Sequence, residues 1–189
     1  MKKKLKHFQK LIDGLESLPS VGKKSALRLA YHLSVEDKFS ATRLIHSIEN
    51  AITNVRLCKY CNALSENEIC EICIDTTRER QKLCIVASAQ DIFFIEQSEG
   101  YDGRYFVLTD LNEQTIEQLL FITQEVAEII FALTSSIQND SLILYIEDKL
   151  QDRNIIFSKI ATGVPTGVKI ENVDTLSLSK ALNSRVPLG

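Results

Sequence analysis

The sequence of 189 residues lacks any long run of hydrophobic residues. No apolar stretch approaches the roughly 20 residues that a membrane-spanning helix requires. The basic start, MKKKLKHFQKLIDG, is not followed by a continuous apolar block, so it indicates an amphipathic helix and not a secretory signal. Internal repeats and low-complexity tracts are also missing. An apolar fraction of 44% supports a real core, and we expect a soluble cytoplasmic protein without a membrane partner.

Charge is distributed unevenly along the chain, although the net charge is only −3. Residues 1–60 contain 12 Lys and Arg against 5 Asp and Glu, whereas residues 61–189 contain 10 against 20. This asymmetry favours an anionic partner for the first part only. A solvated basic helix is the alternative explanation.

The first segment, residues 1–53, has helical spacing of its apolar residues throughout. Pro19 and Gly22 separate the first helix from the second, and Ser40 is expected to cap the third. The apolar positions are Phe8, Leu11, Ile12 and Leu15, then Leu27, Ala30 and Tyr31, then Leu44, Ile45, Ile48 and Ile52.

The remaining chain divides into three further segments. Residues 54–78 hold four cysteines and too few apolar residues for a core of their own. Residues 79–162 alternate strand-like and helix-like stretches, which predicts a mostly parallel sheet with packed helices. Residues 163–189 form a Gly/Pro loop, a short helix near 174–183 with Asp174 or Thr175 as its cap, and a tail. The fold class is therefore a multi-module α+β protein.

The elements of the 79–162 segment are predicted individually. We expect strands at LCIVA (83–87), RYFVL (104–108), EIIFAL (128–133) and IIFSKIA (155–161). The intervening helices are expected at Ala89–Gln97, Thr115–Leu120 and Asp140–Asp152.

The most specific chemical pattern is CKYCNALSENEICEIC, in which Cys58 and Cys61 precede Cys70 and Cys73. A two-residue gap lets both thiolates of a pair face one point, and two pairs complete a tetrahedral structural Zn²⁺ site. Two disulfides or an iron–sulfur cluster are the alternatives. Zinc should supply much of the folding free energy of this segment. Cys84 lies in an apolar run and is expected to be a buried core thiol.

The stretch LPSVGKKSALRL (18–29) has the plan of a helix–hairpin–helix. Gly22 is expected to allow the tight turn, and the free N–H groups at the following helix start can hold a phosphate. Lys23 and Lys24 add positive charge, and Arg28 lies on the same helical face as Lys24. These four residues predict contact with a sugar–phosphate backbone without base reading. An ordinary turn with solvated lysines is the alternative.

Taken in order, these motifs resemble the RecR family of bacterial recombination mediators over nearly the full length. The matching stretches are LPSVGKKSALRLAYHL (18–33), the cysteine block 58–73, LCIVASAQDI (83–92), GRYFVL (103–108) and ATGVPTGVKIENVDTLSLSKALNSR (161–185). The first, second and last are distinctive together, and none alone would suffice.

The resemblance implies a Toprim-type α/β domain and a ring-like homo-oligomer, usually a tetramer, that clamps DNA. It implies partnership with RecO, and often RecF, in loading RecA on single-stranded DNA coated by SSB, without catalysis. By matching position, Lys23, Lys24 and Arg28 would contact DNA inside the ring. The four cysteines of the 58–73 block would bind zinc.

The chain departs from the family at the acidic centre of the Toprim domain. Ala87 stands where a glutamate usually follows the first strand, while Asp91 keeps the next acidic position. After the EIIFAL strand, Gln138 and Asp140 replace two glutamates. Mg²⁺ needs several carboxylate oxygens, so we expect weak or no divalent-metal binding there. In the family these acids are linked to the RecO contact, which makes Asp91 and Asp140 the expected partner-binding residues.

Three functions compete at this point. The first is a non-catalytic DNA clamp and mediator of recombinational repair. The second is a Toprim-type Mg²⁺-dependent nuclease or strand-passage enzyme, which would need clustered carboxylates and, for strand passage, an activated tyrosine such as Tyr101, Tyr105 or Tyr145. The third is a scaffold that binds only proteins.

Overall fold

The computed structural model describes residues 5–161, 163–164 and 166–185. The chain forms two compact units, Met1–Val55 and Arg56–Gly189. Pro165 of the predicted C-terminal Gly/Pro loop and residues 186–189 of the predicted tail lie outside the described residues, as does Thr162, the last residue of the 79–162 segment. Within the described ranges, no helix is both long and apolar enough to cross a membrane.

The first unit is helical, as predicted. Its helices are α1 (Lys6–Glu16), α2 (Lys23–Tyr31) and α3 (Lys38–Asn54), and one π-helical turn (His32–Glu36) joins the last two. Helices α1 and α2 pack against each other. Ala26 and Ala30 are completely buried, because small side chains allow helices to approach closely.

Asp37, and not Ser40, caps α3. The carboxylate of Asp37 accepts the backbone N–H of Ser40 at 2.8 Å. Hydrogen bonding with the Ser40 side chain, and then with its backbone N–H, lowers the pKa of Asp37. The prediction of Ser40 as the cap was wrong because the helix begins at Lys38, two residues before Ser40. Ser40 therefore lies inside the helix and supplies the N–H donor of the capping bond.

The cysteine segment is a small hairpin followed by a single helical turn. Strands β1 (Arg56–Leu57) and β2 (Leu64–Ser65) are antiparallel, and α4 (Glu71–Ile74) begins directly after Cys70. Asn62 has φ 59 in the hairpin, and short polar residues tolerate this left-handed conformation.

The second unit contains a four-stranded sheet in which every neighbouring pair is parallel, in the order β4-β3-β5-β6. Its strands are β3 (Glu79–Val86), β4 (Gly103–Val107), β5 (Glu128–Ala132) and β6 (Ile156–Lys159). Its connecting helices are α5 (Ala89–Gln97), α6 (Glu113–Ile122) and α7 (Ile137–Lys149). The predicted parallel sheet with alternating helices is confirmed.

Strand β3 lies in the interior of the sheet, which explains its continuous apolar run. Residues 83–86 are at most 3% exposed, because a central parallel strand is covered on both faces. Cys84 belongs to this stretch, and burial raises its pKa to about 12. The prediction of a core thiol is confirmed.

The described C-terminal residues form a short 3₁₀ turn (Ile170–Asn172) and α8 (Thr175–Asn183). Asp174 accepts the backbone N–H of Ser177 at 2.9 Å. Of the two predicted caps, Asp174 is therefore the one that the structure uses.

Candidate nucleic-acid interface and metal centre

The turn before α2 obtains its left-handed residue from Ser20, and not from Gly22. Ser20 has φ 64, whereas Gly22 is extended with φ −88. The N–H of Val21 donates to the carbonyl of Leu18 at 3.2 Å and closes the turn. A Cβ on Gly22 would meet nothing within 4 Å. The expectation that Gly22 permits the tight turn was wrong, because its backbone conformation is open to any residue.

The amino terminus of α2 has no side-chain cap among the described residues. Gly22 is its N-cap residue, and no capping side chain accepts the first N–H groups of the helix. Helices α1 and α4 likewise lack a side-chain cap in the described part of the chain, whereas side-chain oxygens cap α3, α6, α7 and α8. Uncapped N–H groups at a helix start carry partial positive charge and are suited to holding an anion.

Three cationic side chains lie along α2. Lys23, Lys24 and Arg28 are exposed, and among the described residues no carboxylate lies within the 4 Å of an ion pair with any of them. The structure places Lys23 and Lys24 in the first turn of α2 and Arg28 in its last turn, on the same face as Lys24. Their positive charge is available to a phosphate backbone.

The four cysteines of the second unit converge on one point. All four Sγ atoms of Cys58, Cys61, Cys70 and Cys73 lie within 4.8 Å of one another. Sγ separations of 3.9 Å (Cys58–Cys73) and 3.5 Å (Cys61–Cys70) are close to the value of about 3.8 Å that tetrahedral Zn–S bonds of about 2.3 Å require. Among the described residues this is the one cluster with three or more metal-ligand groups.

The chemistry of this donor set fits a divalent metal. Hydrogen bonds from Cys61, Cys70 and Cys73 lower the pKa of Cys58, because neighbouring S–H groups stabilise one thiolate. The N–H of Cys70 also donates to the Cys58 Sγ at 3.3 Å. Four thiolates at this spacing need a cation between them, and four protein ligands leave no open position for a water nucleophile.

Backbone and amide groups attach the metal centre to the sheet. The Val107 N–H donates to the Cys61 carbonyl at 2.8 Å. The Gln118 Nε2 donates to the Lys59 carbonyl at 2.7 Å, and the Asn62 Nδ2 donates to the Gln118 Oε1 at 3.1 Å. Sequence reasoning missed these hydrogen bonds because they join residues that are far apart along the chain.

The two predicted acidic residues have structural partners. The Asp91 carboxylate accepts the Ser88 N–H at 2.8 Å and completes a capping box for α5. The exposed Asp140 pairs with Lys159 at 2.9 Å. Ala87 follows β3 and has no side-chain group that could bind a metal.

Sequence reasoning overlooked a further acid, Asp110, which follows β4. Its carboxylate accepts hydrogen bonds from the Asn112 Nδ2 at 2.6 Å and from the Thr115 hydroxyl at 3.1 Å. Asp110 therefore helps to order the start of α6. Its position shortly after a strand of the parallel sheet was the signal that could have found it.

Two of the three candidate tyrosine nucleophiles have raised pKa values, which opposes their activation. Burial raises the pKa of Tyr101, and its hydroxyl donates to the Arg104 carbonyl at 2.9 Å. Burial, with the hydrogen bond to Glu96, also raises the pKa of Tyr105. Tyr145 lies beneath the Lys149 ammonium, 5.4 Å from its ring centroid.

Comparisons with known proteins point to the same family along nearly the whole chain. Three family models match: RecR, helix-hairpin-helix (residues 8–52), the RecR zinc finger domain of four cysteines (55–75), and the Toprim domain (81–161). Recombination protein RecR of Campylobacter jejuni subsp. doylei is 49% identical over 190 residues and all of both chains. Recombination protein RecR of Helicobacter pylori is 49% identical over 187 residues, 98% of this chain and 97% of the relative. The chain therefore belongs to the RecR family of recombination proteins.

Proposed function

We propose that this chain is a non-catalytic DNA clamp of recombinational repair. It acts in the cytoplasm with RecO alone, or with RecO and RecF, to promote RecA loading on SSB-coated DNA. The observation that carries the proposal is the uncapped start of α2, with Lys23 and Lys24 in its first turn and Arg28 in its last turn. None of these three cations has a carboxylate partner among the described residues. Gly22 contributes by having no side chain, so the N–H groups stay accessible to phosphate oxygens.

The clamp holds DNA by electrostatic attraction to phosphates and by the combined binding of several protein copies. One hairpin binds phosphates weakly, and several copies facing a common channel multiply modest affinities. Because phosphates carry no sequence information, binding has little sequence preference. Within this arrangement residues 1–53 hold DNA, residues 54–78 are stabilised by zinc, and residues 79–162 receive protein partners. Residues 163–189 are the C-terminal segment that follows them.

Charge reversal tests the DNA contact directly. Lys23→Glu combined with Arg28→Glu should weaken oligonucleotide binding by at least about 100-fold at low salt, since two positions in each copy then repel phosphates. The matched control, Lys169→Glu with Arg185→Glu, makes the same change in charge on exposed residues of the second unit. Equal affinities for the two double variants would favour a scaffold that binds only proteins.

Zinc is proposed as the resident ion of the four-cysteine centre, one per chain. Its role is structural, because the four thiolates fill the coordination sphere. Support comes from the Sγ separations and from the zinc-finger family model over residues 55–75.

The absence of catalysis is supported by what the acids and tyrosines do. Asp91 caps a helix, Asp140 pairs with Lys159, and the described residues contain no carboxylate cluster with three ligands. A nicking assay with Mg²⁺ tests this point. Cleavage that disappears in Asp91→Ala would establish a Toprim nuclease instead of a clamp.

Assembly into a ring-like tetramer is supported by apolar residues that the isolated chain leaves exposed. Along α3 the exposed fractions reach 73% at Phe39, 55% at Ile45 and 77% at Ile52, and such patches mark interfaces. The solution mass, measured with and without DNA, tests the tetramer.

For the RecO contact, Asp140 is the accessible candidate. Its side chain is exposed beside Lys159, whereas the Asp91 carboxylate is bound to the Ser88 backbone. Asp140→Lys should therefore weaken RecO binding, measured by pull-down with purified RecO, more than Asp91→Asn does. Equal RecO binding by the unmodified protein and Asp140→Lys would remove this residue from the partner surface.

A further inference from the structure

One face of α2 combines cations with exposed apolar side chains. Lys24, Leu27, Arg28 and Tyr31 recur at i, i+3, i+4 and i+7, the spacing of a single helical stripe. The stripe lines a groove of about 390 Å³. Phe8 of α1 and Glu36 of the π-helical turn complete the groove wall.

The apolar members of this stripe are only half covered by the fold. Leu27 is 51% exposed and Tyr31 is 50% exposed, whereas Ala26 and Ala30 on the same helix are completely buried. The fold of the unit thus needs the alanine face of α2. A half-exposed tyrosine beside a half-exposed leucine gains stability only when a planar or apolar group covers both.

Charge complementarity identifies what covers them. Lys24 and Arg28 flank the apolar pair, and the carboxylate in the groove, Glu36, is already bonded to the His32 Nδ1 at 2.8 Å. The groove therefore offers two cations, without carboxylate partners among the described residues, around an aromatic surface. An aromatic platform within a positive groove is the arrangement by which proteins hold single-stranded nucleic acid.

We infer that this groove binds one unpaired nucleobase against Tyr31 and Leu27, while Lys24 and Arg28 hold the flanking phosphates. The inference rests on the proposed function and extends it by naming single-stranded DNA as the preferred form. A duplex presents its phosphates but keeps its bases stacked inside, so it leaves the two apolar side chains uncovered. Tyr31 is thus the residue that should make the affinity for single-stranded DNA higher than the affinity for duplex DNA.

The experiment compares fluorescently labelled oligo(dT) with a mixed-sequence duplex of equal length at one salt concentration. Tyr31→Ala should weaken oligo(dT) binding about tenfold and leave duplex binding within about twofold. Tyr31→Phe keeps the ring and should restore oligo(dT) affinity. Tyr145→Ala, which removes a partly exposed tyrosine from α7 of the second unit, is the matched control and should change neither.

A cross-linking measurement on the unmodified protein does not depend on how a variant folds. Oligo(dT) carrying 5-iododeoxyuridine, irradiated in the complex, should attach to the peptide that contains Tyr31. Attachment elsewhere, or an equal loss of oligo(dT) and duplex binding in Tyr31→Ala, would overturn the inference. A change in solution mass of Tyr31→Ala without DNA would also overturn it, because the groove would then be covered by a second copy.

The two proposals fail in different ways. If the unmodified protein binds both DNA forms and Tyr31→Ala alters neither, the base groove is wrong and the clamp stands. If charge reversal at Lys23 and Arg28 has no effect on either DNA form, the clamp itself is wrong.

Discussion

The backbone N–H of Val107 donates to the carbonyl oxygen of Cys61 at 2.8 Å, so the first cysteine pair is hydrogen-bonded to strand β4. Strand β4 is an edge of the sheet, and exposed edges invite pairing with other chains. The four-cysteine segment therefore covers this edge at Val107. Cys58, Cys61 and Cys70 belong to the same buried cluster as the sheet core.

Removing one cysteine ligand should release both the metal and the strand edge. We expect Cys61→Ser to hold less than one zinc per chain. Amide exchange at Val107 should become at least about tenfold faster, because its acceptor is no longer fixed. Zinc content and hydrogen exchange by mass spectrometry measure the two effects. Cys84→Ala is the control, since Cys84 lies outside the cluster of ligands and should retain full zinc.

Gly103 is a glycine whose missing side chain matters for packing. A Cβ there would lie 2.6 Å from Tyr101 Cζ and 2.8 Å from Lys82 Cβ. We expect Gly103→Ala to lower the free energy of unfolding by about 1–3 kcal/mol through overpacking. In contrast, Gly14 lies in helix α1 with nothing within 4 Å of a Cβ. Gly14→Ala should raise stability by about 0.5–1 kcal/mol, and the two denaturation curves should shift in opposite directions.

The Arg78–Glu96 ion pair should make stability depend on pH. Partial burial is the largest single effect and opposes ionisation of Glu96. The hydrogen bonds from Arg78 and Tyr105, together with the charge of Arg78, outweigh it and lower the pKa of Glu96 below its ordinary value of 4.5. The pair's stabilisation is therefore complete above pH 4.5 and is lost as the pH falls through the lowered value. Glu96→Gln should cost about 1–2 kcal/mol at pH 7 and little at acidic pH.

A more exposed pair provides the comparison for this prediction. The Lys82 Nζ lies 3.1 Å from the Asp102 Oδ1, and the two side chains are 42% and 71% exposed. Asp102→Asn should change stability only slightly at any pH, because solvent screens such a pair. If thermal unfolding shows equal losses for Glu96→Gln and Asp102→Asn, the Arg78–Glu96 pair does not have the role assigned to it.

Local signals predicted the helices and the clustering of the four cysteines well. Helix α5 occurs at Ala89–Gln97 as expected, because Ser88 and Asp91 form a capping box within four residues. The cysteine centre follows from two short gaps in the sequence. Both features depend on residues that are near one another along the chain.

Long-range features could not be predicted in the same way. The order β4-β3-β5-β6 and the Val107–Cys61 bond depend on how distant segments pack. The π-helical turn His32–Glu36 and the shift of the α3 cap to Asp37 depend on where one helix ends and the next begins. No residue pattern in the sequence indicated that Ser20 would adopt the left-handed backbone conformation in the turn before α2.

The salt dependence of DNA affinity is the most direct test of the phosphate-binding hairpin. For the unmodified protein, the logarithm of the association constant should fall steeply with the logarithm of salt concentration. Replacing Lys23, Lys24 and Arg28 by glutamine should reduce that slope by about 0.7–0.9 for each phosphate that is no longer neutralised. An unchanged slope and affinity in the triple variant would contradict the account, because the DNA would then be held elsewhere.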